Sequence, residues 1–206
     1  AAIAMENVRL FNETQEALER QTATSEVLRV ICSSVSDTQP VFEKILDSCQ
    51  RLFPDASMGI TLVGDDGQVH LNANRSTRGG DYEGIGKHFP SPLKKSIQGQ
   101  AMYRRQVLHY PDAAHGPDVP PLLSAMARKG GNYSMLVAPM VWEDRGVGAI
   151  HVYRMPPRAF ADKEISLLKT FADQAAIAIQ NARLFNETQE ALQQQKASAE
   201  VLQVIS

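Results

Sequence analysis

Residues 132–154 read NYSMLVAPMVWEDRGVGAIHVYR, and this stretch decides the fold. Two apolar runs flank a predicted reversal of the chain at Glu143 to Gly146, where charged residues and a glycine interrupt the pattern. Short apolar runs separated by a few turn-forming residues are typical of two antiparallel strands. The stretch therefore predicts a β-hairpin.

A second hairpin is predicted upstream, in the sequence SMGITLVGDDGQVHLNANR of residues 57–75. Strands at Met58–Val63 and Gln68–Asn74 flank Gly-Asp-Asp-Gly, a strong turn signal. Residues 76–131 hold most of the glycine and proline and indicate loops. Within these loops we expect helices at Leu93–Gln106 and Pro121–Lys129 and a short strand at Val107–Tyr110.

Amphipathic helices are predicted on either side of the hairpins. One follows Asp37 and Thr38, which can cap it, and Pro40 suits its first turn. Another begins near Asp162 and continues without a helix breaker to Ser206. Its apolar stripe contains several alanines, which permit close packing: Ile165, Leu168, Ala172, Ala175, Ala176 and Ile179.

The order of these elements predicts an α+β fold. We expect an antiparallel sheet of about five or six strands with helices on both faces, and long helices at both termini. The expected division is a linker or signalling helix at 1–35, a core domain at 36–170 and a C-terminal signalling helix at 171–206.

The two ends of the chain are nearly the same sequence. Aligned at an offset of 174, residues 1–32 and 175–206 are identical at 22 of 32 positions. The simplest interpretation is one period of a longer array, cut from a larger protein. The alternative is a small intact protein with twin helical arms.

The repeated segment carries a heptad pattern that is weak in its middle, where Thr14 and Gln21 occupy seam positions. It predicts a homodimer in which the terminal helices pair side by side. The alternative is a helix that packs only on its own domain. The residues expected to pair are Leu10, Leu28, Ile31, Leu184, Leu202 and Ile205.

Composition excludes several classes of protein. The net charge of −2 and the absence of a basic stripe argue against nucleic acid as a partner, and no polybasic arm suggests membrane contact. No apolar run approaches the roughly 18 residues needed to span a bilayer. Cys32 and Cys49 lack metal or redox spacing, so we expect reduced thiols in a cytoplasmic protein.

The chain resembles the GAF domains of bacterial tandem-GAF sensor proteins of the sensor histidine kinase type. The resemblance lies in VLHYPDAAHGP at 107–117, in the hairpin of residues 133–154, and above all in FADKEISLLKTFADQAAIAIQNARLFNE at 160–187. The stretch QTATSEVLRVICSSVSDTQPVFEKIL at 21–46 is similar to the linker and first helix of the next GAF unit in such proteins.

The resemblance implies a GAF/PAS-like sheet with a small-molecule pocket on one face and the terminal helices on the other. It implies a sensory or regulatory module, usually dimeric, with no catalytic function of its own. The catalytic domain, a histidine kinase, would lie downstream in the parent chain. The alternatives are a ligand-free structural relay for dimerisation and the regulatory domain of a nucleotide cyclase.

Alternation along the strands predicts which residues face the pocket. Val69, Leu71, Ile150 and Val152 are expected to meet the helices. The opposite face would look toward the segment from Ile85 to Met126. The pocket candidates on that face are His70, Asn72, Asn74, Tyr110, His151 and Tyr153.

The sequence supports no particular cofactor and no metal. The middle segment has no cysteine of the kind that bilin-binding GAF domains use, and no histidine stands out as a haem ligand. The cluster HYPDAAHGPD at 109–118 lacks a regular chelate spacing, and the resemblance implies that Asp112 fixes a turn there. No arrangement of catalytic residues is present, and an unidentified small molecule is the expected ligand.

Overall fold

The computed structural model describes residues 39–77 and 86–205. The predicted first helix, with Leu10, Leu28 and Ile31, lies outside these residues. Leu202 and Ile205 fall in a described helix, but their side chains lie outside the description.

Four α-helices and six strands form the described part of the chain, together with a short 3₁₀ helix at Leu93–Lys95. The predicted helix at Leu93–Gln106 is thus divided in two, and Ser96 caps the second piece by accepting a hydrogen bond from the Gly99 N–H at 2.9 Å. The elements in chain order are α1 (Gln39–Leu52), β1 (Ser57–Val63), β2 (Gln68–Arg75), β3 (Ser91–Pro92), α2 (Ile97–Arg104), β4 (Leu108–Tyr110), α3 (Pro121–Gly130), β5 (Ser134–Trp142), β6 (Arg145–Arg154) and α4 (Asp162–Ile205).

The strands form one antiparallel sheet in the order β3-β2-β1-β6-β5-β4. The two predicted hairpins, β1–β2 and β5–β6, lie side by side because β1 pairs with β6. This arrangement confirms the predicted α+β fold with an antiparallel sheet.

The turn between β5 and β6 is tighter than the sequence suggested. Only Glu143 and Asp144 separate the strands, and their φ angles of 43° and 67° are both left-handed. Two consecutive left-handed residues make the turn whose twist matches the twist of the flanking strands. The reversal is therefore a two-residue turn within the predicted span.

One face of the sheet, called here the helix-side face, packs against α1 and α4. The alanines predicted to allow close packing, among them Ala172 and Ala175, are fully buried there. Leu168 of α4 is also fully buried, so the first part of α4 forms a large share of this core. The strands contribute Met58, Ile60, Ala73, Leu136, Ala138, Met140, Ile150 and Val152.

The opposite face, called the loop-side face, is covered by α2, α3 and the connections around them. Ala101 of α2 and Leu123 and Ala127 of α3 are buried in its core. The sheet therefore has helices on both faces, as predicted.

Helix α4 is continuous for 44 residues and leaves the sheet near Ala182. From 183 to 198 its residues are exposed, apart from the half-buried Asn186. The predicted boundary between 170 and 171 falls within this one helix. None of the helices in the described ranges combines the length and the apolar character needed to cross a membrane.

We predict that Leu168→Ala lowers the free energy of unfolding by about 2–5 kcal/mol, because it removes fully buried methyl groups and leaves a cavity. Urea denaturation followed by circular dichroism measures the change. Leu122→Ala is the matched control, since Leu122 of α3 is 64% exposed and its loss should change stability by less than about 0.5 kcal/mol. Equal effects of the two substitutions would contradict this core.

Candidate functional site

Strand β6 carries two of the predicted site residues onto the loop-side face. His151 and Tyr153 are 2% and 8% exposed, and their strand neighbours Ile150 and Val152 lie in the helix-side core. His151 pairs with Val137 of β5, and Val137 belongs to the loop-side core. The faces in β6 thus agree with the alternation of the sequence, while contact with a ligand stays a prediction.

Tyr110 joins this group from the edge strand. It pairs with Met135 of β5, which pairs in turn with Tyr153 of β6, so the three form one row across the sheet. Burial raises the pKa of Tyr110. The structure therefore brings Tyr110, His151 and Tyr153 together on one face.

Tyr133 is a further residue of this site that was not among the residues predicted from the sequence. Its ring lies 5.7 Å from the ring of Tyr153, measured between centroids, and is tilted by 60°. Burial, with a smaller contribution from Tyr153, raises the pKa of Tyr133 to about 12. Alternation extended one residue before β5 would have indicated Tyr133, because position 133 has the same parity as Met135 and Val137, which face the loop side.

The predicted faces in β2 are wrong at several positions because the strand contains a β-bulge. Ile60 of β1 pairs with Ala73, whereas the next residue, Thr61, pairs with Leu71, so Asn72 is an extra residue. Ala73 lies in the helix-side core and Leu71 packs against the loop-side core. Leu71 thus faces the side opposite to the one expected.

The same bulge also reverses the faces on which Val69 and His70 lie, relative to those expected. Val69 shares the loop-side face with Leu71, two residues away in the strand, so it does not face α1 and α4 as expected. His70 pairs with Leu62, which packs against the helix-side core, so His70 lies away from the loop-side face. Its Nε2 atom is 3.0 Å from Oδ2 of Asp66 in the adjacent turn.

The two asparagines of β2 are exposed. Asn72 closes the bulge, because its Oδ1 accepts a hydrogen bond of 3.0 Å from the N–H of Leu62. Asn74 pairs with Gly59 of β1, and Gly59 pairs with His151 of β6. Asn74 therefore lies on the predicted face, but two strands away from His151. The structure therefore separates His70, Asn72 and Asn74 from the other three candidates.

The loop-side core has an apolar character with a few neutral polar groups. Its apolar members are alanine, leucine, methionine, valine and tyrosine residues. Besides the tyrosine hydroxyls, the buried polar groups on this side are Thr61 of β1, Gln98 of α2, Ser124 of α3 and the imidazole of His151. Burial lowers the pKa of His151 to about 4 and keeps it neutral. Such a face suits an uncharged ligand with one or two hydrogen-bonding groups. Half-buried residues at its margin are Leu71, Ile97, Val119, Tyr133 and Met155.

Asp112 has a structural role in the loop after β4. Its Oδ1 accepts hydrogen bonds from Asn132 Nδ2 at 2.9 Å and from the backbone N–H groups of Ala114 and His115 at 3.0 and 2.8 Å. These donors lower the pKa of the carboxyl, with Asn132 making the largest contribution. Across residues 39–77 and 86–205, no three histidine, cysteine, aspartate or glutamate side chains are grouped to hold a metal ion.

We predict that His151 makes the fold less stable in acid. Its pKa is about 4 in the folded chain against 6.5 normally, so the unfolded chain binds the proton more tightly. The stability associated with the neutral His151 is fully present above pH 6.5. As the pH falls toward 4, the free energy of unfolding falls with it, by about 3 kcal/mol in all. Urea unfolding at several pH values measures it.

His151→Gln, which keeps a polar group but cannot titrate, should flatten the loss of stability between these pH values. His115→Gln is the control for losing a histidine as such, because the His115 side chain is 70% exposed. A native chain and a His151→Gln variant with parallel pH profiles would contradict the burial of a neutral imidazole.

Comparisons with known proteins agree with this architecture. A family model described as the GAF domain matches residues 35–180. No curated protein matches the chain. Three solved structures show the same fold at low sequence identity.

The first of these structures is the GAF domain/HD domain protein from Geobacter sulfurreducens, with a TM-score of 0.62, 18% identity, and coverage of 74% of this chain and 97% of that one. The second is a domain of a two-component sensor histidine kinase protein from Sinorhizobium meliloti 1021, with a TM-score of 0.57 and 22% identity, covering 72% and 94%. The third is a bacteriophytochrome from R. palustris, with a TM-score of 0.67 and 14% identity, covering 92% of this chain and 42% of that one.

The family match extends over more than half of the chain and coincides with the six-stranded sheet and its helices. A GAF domain is a sensory or regulatory module. The chain therefore belongs to the GAF domain family.

Proposed function

We propose that this GAF domain is the sensor of a multidomain bacterial signalling protein, a histidine kinase, and that it binds a small uncharged molecule on the loop-side face. The observation that carries the proposal is the course of α4. This single helix packs on the helix-side face through Leu168 and Ala175 and then extends beyond the domain. A change in the sheet can therefore reach whatever follows α4.

The chemistry of the loop-side face supports the choice of an uncharged ligand. Among the described residues, the one charged side chain that is buried is Arg154, and it faces α4 and not the loop side, so a charge placed against the loop-side face would cost several kcal/mol of desolvation. The tyrosine rings offer flat apolar surfaces, and the neutral imidazole of His151 can either donate or accept a hydrogen bond. A mainly apolar, ring-containing molecule meets these conditions.

The sheet provides a short path between the two faces. Ile150 and His151 are adjacent in β6, yet one lies in the helix-side core and the other faces the loop side. Because cores are closely packed, a displacement of β6 by a ligand would shift its contacts with α4. Signal transfer would then require displacement of only the sheet and α4.

A second candidate function is a ligand-free relay. The loop-side face is covered by a continuous core in which Tyr110, Leu123 and Val137 are at least nine-tenths buried. Such packing favours a module that dimerises and transmits helix motion without an occupant. The regulatory domain of a nucleotide cyclase is the alternative parent, and it would use the same relay.

We further propose a cytoplasmic homodimer that pairs through the terminal helices. Leu184, Phe185 and Leu192 are 48%, 37% and 44% exposed on the projecting part of α4. A helix that projects into water gains stability when its apolar side chains pair with a second copy. In the parent chain these helices would lead to the downstream catalytic domain.

We predict that the chain binds Nile red, an uncharged apolar dye, and that Tyr133→Ala weakens this binding by about tenfold because it removes an aromatic wall of the site. Fluorescence titration measures the affinity. Tyr103→Ala is the matched control, since Tyr103 is 61% exposed on α2, and it should leave binding unchanged.

Native mass spectrometry of freshly purified protein would identify a retained natural ligand. Absence of both dye binding and a retained molecule would favour the ligand-free relay.

We predict a dimer in light scattering at high micromolar concentration, and a monomer for Leu184→Glu, because paired like charges replace an apolar contact. Leu122→Glu, at an exposed leucine on α3, should remain dimeric. A native chain that stays monomeric at this concentration would remove the dimer from the proposal.

A further inference from the structure

We infer that Arg154 is the positioning residue that couples the loop-side face to α4. The inference rests on the proposed sensory function and names the contact that would carry the signal. Arg154 is the last residue of β6 and is only 2% exposed. A buried guanidinium at a strand end needs strong partners, and all of these partners lie near the start of α4 or in the α1–β1 connection.

The main partner of Arg154 is Glu164 in the first turn of α4. Nη2 of Arg154 lies 2.5 Å from Oε1 of Glu164 and 3.5 Å from Oδ1 of Asp55, which is in the α1–β1 connection. The guanidinium carbon also lies 4.0 Å above the centroid of the Phe160 ring. Two carboxylates thus hold the head group through Nη2, and the Phe160 ring packs against its face, whereas Nε and Nη1 are buried without a hydrogen-bond partner among the described residues.

Glu164 has a second role that connects the ion pair to the helix backbone. Its other oxygen, Oε2, accepts a hydrogen bond of 2.8 Å from the N–H of Ala161, just before α4 begins. The C=O of Ala161 accepts the first helical bond, from the N–H of Ile165 at 3.0 Å. Glu164 therefore forms half of a capping box, in which the third helical residue reaches back to the cap. Movement of Arg154 acts directly on the first turn of α4.

Phe160 secures the other side of the same contact. Its ring lies 6.0 Å from Phe53 and 5.9 Å from His109, measured between centroids. Its N–H donates a hydrogen bond of 3.2 Å to Nε2 of His109 on β4. The segment before α4 is consequently held between the edge strand, the α1–β1 connection and Arg154.

The connection to the proposed ligand site is a single peptide bond. Tyr153 precedes Arg154 in β6 and packs in the loop-side core, beside Tyr133. Successive residues of a strand point to opposite faces, so a shift of Tyr153 is accompanied by a shift of Arg154 toward or away from α4. The strand end therefore links a ligand-facing ring to a helix cap.

A second arginine of the sheet shows why burial matters. Arg75, at the end of β2, pairs with Glu43 and Asp47 of α1, but its side chain is 31% exposed. Exposed ion pairs contribute little to stability because solvent screens them. Loss of one partner of a buried pair leaves the other charge buried and unpaired, which is costly. Arg75 is thus a matched control for Arg154: the same residue type, at a strand end, paired with two carboxylates.

The test is hydrogen–deuterium exchange of the 206-residue chain, read over residues 161–172 by mass spectrometry. Tyr153→Leu supplies the disturbance on the loop-side face and should speed exchange in this segment by about tenfold. In an Arg154→Met background the same substitution should add less than about twofold, since the coupling contact is already gone. In an Arg75→Met background it should retain the full effect.

Glu164→Gln provides a milder background if Arg154→Met does not fold, because the amide oxygen can still accept from Ala161 while the ion pair is lost. It too should suppress the effect of Tyr153→Leu. Additive effects in all backgrounds, or no effect of Tyr153→Leu in the native chain, would overturn the inference. The experiment uses no ligand, so a failure of Nile red binding and a failure of this coupling are separate results.

Discussion

The rest of the structure depends on one constraint: a single antiparallel sheet must bury both of its faces. Each central strand therefore serves two cores, with alternate residues directed to α1 and α4 or to α2 and α3. Gly148 illustrates how closely the central strands approach each other, because a Cβ atom there would lie 2.2 Å from the backbone oxygen of Thr61 on the adjacent strand. Little can change on one face without a response on the other.

This two-sided sheet suits a sensory module. The loop-side face is apolar and closed by short helices, whereas the helix-side face holds the beginning of a long continuous helix. The central strands β1 and β6 are hydrogen-bonded on both sides and shared by both cores. Arg154 adds a specific contact at the end of β6, where it meets the cap of α4 through Glu164. The proposed signal thus passes from the packing of the loop-side core, through β6, to the ion pair between Arg154 and Glu164.

The candidate site was predictable only where the strand pairing is regular. In β6 the alternation of Ile150, His151, Val152 and Tyr153 corresponds to the observed faces, because the β1–β6 pairing has no irregularity. In β2 the bulge at Asn72 reverses the faces of the residues before it. A bulge depends on hydrogen bonds to the neighbouring strand, here the bond from Leu62 to Asn72, so the pattern of one strand alone does not reveal it.

By itself, the sequence determined the order of elements, the two hairpins, the apolar stripe of α4 and membership of the α+β class. These features follow from short-range periodicity and turn chemistry, which act within about ten to twenty residues. Only the tertiary structure decided that β1 pairs with β6, that Tyr133 packs beside Tyr153, and that the guanidinium of Arg154 is buried against Glu164. The physical reason is that register, burial and ion pairing depend on which distant segments share a core, and local propensity does not carry that information.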